Sequence, residues 1–150
     1  MFDWREIDPG TPVTIGRMHC RFSRTAHGPV TLAVGFHEVG GPGAGDRATG
    51  PAAAPPLAYS ADSGPGWSVG SFGTGTGTFV CEATYTRGHE GFAGHLSGRQ
   101  AGAMASAAGV GTLVLTHRWP SIDAAEVRDE AQAEFAGPVE VATPGAVFWW

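Results

Sequence analysis

The 150-residue sequence predicts an α/β protein. Three observations carry that expectation. Hydrophobic residues make up 42% of the chain and charged residues 15%, the balance of a globular protein with a core. Residues 18–39 hold two strand-like segments around a turn, and from Leu57 onward short apolar runs alternate with helical stretches. Right-handed crossovers turn such a β-α-β-α-β-α-β order into parallel strands with helices packed on them. The length suits one domain rather than two.

Each element has its own signal. Residues 18–26 (MHCRFSRTA) alternate loosely and end at the turn sequence His27-Gly28-Pro29. Residues 31–39 (TLAVGFHEV) are apolar enough for a half-buried strand. Residues 40–56 (GGPGAGDRATGPAAAPP) hold one acid, one base and few large side chains, so a flexible Gly/Pro/Ala loop is expected. Residues 57–61 are a short strand ending at Asp62, after which Pro65 is suited to opening a short helix. Residues 79–81 form another strand, ending at Glu82. Ser97, with Gln100 three residues later, has the form of a capping box. The helix it starts places Ala101, Met104, Ala105 and Ala108 on one face and stops at Gly109. Residues 113–116 form a third strand of this series, ending at His117. Asp123 and Glu126 begin a second long helix with Ala124, Val127, Ala131 and Phe135 as its buried stripe, stopped by Gly137-Pro138. Residues 139–142 and 146–149 are expected to be closing strands.

Charge and cysteine usage narrow the function classes. The net charge is −5 and all nine basic residues are Arg, which disfavours a broad phosphate-binding surface and hence nucleic acid. Cys20 and Cys81 form no CxxC pair and fall in strands, as small core residues of a protein in a reducing compartment would. The opening MFDWREIDPG lacks the basic and apolar regions of a signal peptide, and no apolar stretch is long enough to span a bilayer. A cytoplasmic protein without membrane contact is expected. The glycines of GTGTGT, residues 73–78, precede a strand rather than open a helix, so they do not form a phosphate loop. His19, His37 and His89 show no partner pattern and are expected to face solvent. Trp149 and Trp150 suit packing or partner contacts.

Parallel strands bring their carboxyl ends to one rim, where open α/β sheets bind ligands. Asp62, Glu82 and His117 each follow one of these strands, and His27 follows an upstream one. All four are metal-ligand or acid/base types. Their residue types alone leave bland roles open: a turn cap for Asp62, a packed loop for His117, a loop tie between Glu82 and His95.

Residues 57–120 resemble the back half of the metallo-β-lactamase fold, in particular its ribonuclease Z-like branch. AYSADSG resembles the GDT-like turn, CEATY the HEAT motif, GHLSGRQAG the HST-A-QAA motif and LVLTHRWP the closing LTH motif, in the family's order. Upstream, RTAHGPV resembles the central histidine segment. The resemblance implies the C-terminal half of an αββα sandwich, a mixed sheet with flanking helices. It implies Asp62 as the carboxylate bridging two metals, His117 as a ligand of one and His27 of the other. Glu82 and His95 match the pair that holds and protonates the leaving group. The implied activity is zinc-dependent hydrolysis of a small-molecule ester or phosphodiester. In such sites the metals lower the pKa of a bound water to about 7 and clamp the attacking and leaving oxygens.

The family's HxHxDH motif is absent from these residues, so residues 1–150 are expected to be a partial domain lacking the N-terminal half. Each metal keeps two of the implied ligands, where catalytic zinc normally has three. The two zinc ions of a complete site are therefore expected to bind weakly or not at all to this chain alone, and the isolated chain to be inactive. Where tRNA-processing members carry an arm, this chain offers Arg47 as its only base, which favours a generic hydrolase over a tRNA nuclease. The alternative is a non-catalytic remnant serving as a protein-interaction or structural module. A half-sandwich exposes an apolar sheet face, which favours a homo-oligomer or a protein partner.

Overall fold

The computed structural model describes Trp4 and residues 6–39, 53–91 and 94–149. Seven strands form one sheet in sequence order: β1 (Val13–Ile15), β2 (Met18–Arg24), β3 (Leu32–Glu38), β4 (Leu57–Tyr59), β5 (Thr78–Glu82), β6 (Thr112–Thr116) and β7 (Val139–Val141). The first four are an antiparallel meander, with Phe22 opposite Val34 and Gly35 opposite Ala58. From β4 to β7 the strands run parallel, with Phe79 beside both Ala58 and Leu113. The expected series of parallel strands is therefore present from β4 onward.

Two helices connect the last strands, α1 (Gly98–Ala107) and α2 (Ala124–Glu134). The capping box is present: Ser97 Oγ accepts from the Gln100 N–H at 3.1 Å, and the Ser97 N–H donates to Gln100 Oε1 at 3.0 Å. Asp123 caps α2 by accepting from the Ala125 N–H at 2.9 Å. Both helices pack on one face of the sheet. Ala101, Met104, Ala105, Val127 and Ala131 meet Phe79, Cys81, Leu113 and Leu115 there, and each large side chain so buried contributes about 1.5–3 kcal/mol. The helices touch through glycine: a Cβ at Gly102 would fall onto the Ala131 carbonyl oxygen. The opposite sheet face carries half-buried Val34, Phe36, Leu57 and Val80 and the exposed Tyr59.

The structure corrects several expectations. No helix opens at Pro65; a turn and a single 3-10 turn, Val69–Phe72, occupy that crossover. Gly66, Gly70 and Gly73 explain this, because glycine is a poor helix former. Residues 146–149 do not form a strand. The chain turns at Pro144-Gly145, where the Ala146 N–H donates back to Thr143, and Val147 and Trp149 are exposed. The short β1 was not anticipated. Of the expected Gly/Pro/Ala loop, residues 40–52 lie outside the described residues, while Pro55 is fully buried just before β4.

His37 does not face solvent: it is 3% exposed, while His89 is exposed and His19 half-buried. His37 shares the helix-side face of β3 with Ala33 and Gly35, and its Nε2 lacks a hydrogen-bond partner among the described residues. Burial, reinforced by Arg21 and His19, pushes its pKa down. Cys20 and Cys81 are buried free thiols, both pushed up by burial. No helix among the described residues is long and apolar enough to cross a membrane.

Candidate metal centre

The parallel strands deliver their carboxyl ends to one rim. Asp62 follows β4, Glu82 ends β5, and His117 follows β6. His27 comes from the turn between β2 and β3, which antiparallel pairing brings to the same rim. That turn is tied to the loop after β4: Thr25 Oγ1 donates to the Asp62 carbonyl at 2.7 Å, and the Gly64 N–H to the Ala26 carbonyl at 2.8 Å. His95 arrives from the segment ahead of α1. Among the described residues, the two non-glycine residues with positive φ are Ala61 (51°) and His117 (55°). Both sit where a rim strand ends, and such uncommon backbone clusters at functional sites.

Glu82 forms the floor of the rim and is fully buried. Its Oε1 accepts from the Ser63 N–H and from His95 Nδ1, each at 2.9 Å. Its Oε2 accepts from Thr84 Oγ1 at 2.8 Å and from the Thr84 and Leu96 N–H groups at 3.2 Å. Five donors satisfy a carboxylate that water does not reach, which meets the requirement that a buried charge be paired and hydrogen-bonded.

The mouth of the rim is wetter. The His117 and Asp62 side chains are 48% and 36% exposed, with His117 Nδ1 at 3.5 Å from Asp62 Oδ1. The rings of His27 and His95 lie 5.3 Å apart between centroids, and those of His95 and His117 5.5 Å. Ligand-type atoms of His27, Asp62 and His95 lie within 4.8 Å of one another, as do those of Glu82, His95 and His117. All five residues singled out in the sequence therefore meet in one cluster. Their accessibility differs, and that separates them chemically. Glu82 has both oxygens occupied, while Asp62, His27 and His117 offer imidazole and carboxylate atoms toward solvent. Imidazoles with a half-exposed carboxylate form a donor set that fits zinc or a similar divalent ion. The negative charge is felt nearby: burial first, and then Asp62 and Glu82, push the Tyr59 phenol up.

Two contributors escaped the sequence reading. Thr84 Oγ1 lies 2.9 Å from His117 Nδ1 and 3.3 Å from His95 Nδ1, in addition to its bond to Glu82. It belongs to CEATY, yet nothing in that string says its hydroxyl reaches three groups. Gly94 (φ +92°) lies against His27, and a Cβ there would stand 3.0 Å from the ring's Cδ2. The signal for it was the glycine beside His95. Next to the cluster, Tyr85 places its ring edge-on to His95 at 5.9 Å and helps line a groove of about 470 Å³ with His89, Trp119 and Glu126.

No protein-family model matches the chain. It is 34% identical over 149 residues to the uncharacterized protein ML1173 of Mycobacterium leprae, a match covering 99% of this chain and 48% of that protein. It is 40% identical over 140 residues to the uncharacterized protein Rv1339 of Mycobacterium tuberculosis, covering 93% of this chain and 46% of that protein. The chain thus spans about half the length of the curated relatives it matches. Among solved structures, the metallo-β-lactamase fold protein YhfI of Bacillus subtilis matches at TM-score 0.77 and 26% identity, over 95% of this chain and 54% of that one. Taken with the mixed seven-stranded sheet and its two helices, this match means that the chain has a metallo-β-lactamase-like α/β fold.

Proposed function

We propose that the chain supplies the metal-holding rim of a zinc-dependent hydrolase acting on small-molecule ester or phosphodiester substrates. One observation carries the reading: His27, Asp62, His95 and His117 converge at one rim of a metallo-β-lactamase-like sheet. In this reading Asp62 would be a carboxylate ligand shared by two zinc ions, and His27 and His117 would each be a ligand of one of them. The motif likeness of CEATY and GHLSGRQAG supports placing it in the ribonuclease Z-like branch. Three ligands shared by two ions fall short of the three usual for each catalytic zinc. The reading therefore assigns the remaining ligands to a half of the fold outside these 150 residues.

Zinc, when bound, supplies an acidified water and a Lewis acid for the substrate oxygen. The chain's own residues do the rest. Glu82, sealed beneath the rim, holds His95 through Nδ1 and does not contact the substrate. His95 is left with Nε2, which would take up a proton from solvent and give it to the leaving oxygen. That transfer avoids expelling an unprotonated alkoxide. The groove walled by Tyr85 and Trp119 lies beside His95, where the non-reacting part of a small substrate would rest.

Zinc titration of the 150-residue chain, purified without chelators, against a chromophoric competitor tests this. Weak binding is expected for the chain as it stands, reduced at least about tenfold by Asp62→Ala and again by His117→Ala, with folding unchanged in both. Equal zinc binding by the chain and both variants overturns the reading.

A further inference from the structure

We infer that Thr84 is a positioning residue: its hydroxyl passes the polarity of buried Glu82 to His117 and holds that imidazole with the proton on Nδ1 and a bare Nε2. The argument is a count of protons. Glu82 is an acceptor whose two oxygens take five donors, and Thr84 Oγ1 is one of them at 2.8 Å. A threonine hydroxyl has one proton and two lone pairs. That proton has two oxygen acceptors in reach, Glu82 Oε2 at 2.8 Å and the His117 carbonyl at 3.2 Å. The shorter bond to the carboxylate takes it, so Thr84 Oγ1 meets His117 Nδ1, 2.9 Å away, with a lone pair. His117 Nδ1 must then carry the hydrogen. The opposite arrangement would have Thr84 donate to His117 and set two oxygen lone pairs face to face at 2.8 Å. Asp62 Oδ1, at 3.5 Å from the same nitrogen, is a second acceptor and acts in the same sense.

The same carboxylate fixes the neighbouring ring directly, because His95 Nδ1 lies 2.9 Å from Glu82 Oε1 and can only donate to it. One buried acid thus sets two imidazoles, His95 by contact and His117 through one hydroxyl, and leaves the Nε2 of each ring without the proton. A ligating or proton-carrying imidazole is set by the bond its other nitrogen makes. Thr84 is therefore the element that makes His117 a ready metal ligand. This consequence for metal holding rests on the zinc reading above, whereas the tautomer does not, so the two can fail separately.

Long-range nitrogen–proton correlation spectra of the metal-free chain, at a pH where the imidazoles are neutral, report each tautomer. Both His95 and His117 are expected as Nδ1–H. In Thr84→Val, His117 is expected to shift to mixed or Nε2–H signals while His95 stays Nδ1–H, and Thr84→Ser is expected to restore the original pattern. Zinc affinity should fall about tenfold in Thr84→Val and recover in Thr84→Ser. An Nε2–H signal for His117 in the unaltered chain overturns the inference, and that reading needs no variant to fold. A tautomer unaffected by Thr84→Val overturns it as well. Correct tautomers with measurable zinc binding that Asp62→Ala and His117→Ala leave unchanged would count against the metal reading alone.

Discussion

The two halves of the sheet contribute unequally to the rim. In the parallel half, β4, β5 and β6 all end at the same edge, and each is followed or closed by a polar residue of the cluster: Asp62, Glu82 and His117. In the antiparallel half successive strands end at opposite edges, and among the described residues it is the turn between β2 and β3 that brings a cluster residue, His27, to the rim. The helices follow the same division, since α1 and α2 connect parallel strands and back that half with a packed layer. Parallel connectivity concentrates loops, and therefore chemistry, along one edge. A meander spreads them over two.

If the parallel half is the structural seat of the rim, its buried acid should matter most. Glu82→Gln keeps the shape of the side chain but sets an amide group against donors that now have too few acceptors. We expect a loss of about 3 kcal/mol or more in urea unfolding, the cost of leaving buried partners of a charge unpaired. His27→Ala, in the meander's turn, should cost no more than about 1 kcal/mol. Similar losses for the two would erase the contrast between the halves.

The helical backing offers a test of intermediate size. At Gly102 a Cβ would strike the Ala131 backbone, so Gly102→Ala must push α1 away from α2. Overpacking of this kind costs about 1–3 kcal/mol. Gly28, in the turn between β2 and β3, has nothing within 4 Å of the corresponding position. Gly28→Ala should change stability by less than about 0.5 kcal/mol. A neutral Gly102→Ala would show that the two helices are not held as closely as the backbone places them.

The parallel half was also the more legible one. Its strands are short apolar runs cut off by a polar residue, so Glu82 and His117 announced the ends of β5 and β6. The β4 strand ends at Tyr59, two residues short of the strand expected over 57–61 before Asp62. Ser97 and Gln100 announced α1 through local chemistry that needs no tertiary partner. Legibility failed where the answer depended on distant chain. Ala33, Gly35 and His37 look like the weak face of β3, yet it is the face that is packed, because large groups arrive from elsewhere: a Cβ at Gly35 would stand 3.1 Å from Pro55 and 3.3 Å from Phe72. Small residues there mark a close neighbour rather than solvent. Thr84 was missed for a similar reason, since its three partners lie on β5, on the segment before α1 and after β6. The strand expected at 146–149 is replaced by a turn at Pro144-Gly145 and has no strand partner among the described residues.

His37 gives the smallest effect and places it in the antiparallel half. Its folded pKa is lowered, by burial first and then by Arg21 and His19, which face it from β2 and both disfavour a second positive charge. The unfolded chain therefore takes up a proton there at a higher pH than the folded protein does. Stability linked to His37 is fully present above the ordinary histidine value of about 6.5 and is lost as pH falls from there toward the folded value. Urea unfolding from about pH 8 to about pH 5 should show declining stability, and His37→Leu should flatten that decline because nothing buried remains to be charged. The substitution leaves every other histidine in place, so the difference between the two curves isolates His37. Parallel curves would mean that the ring is hydrated in solution, and that the meander's inner face is looser than the helix-backed half it continues.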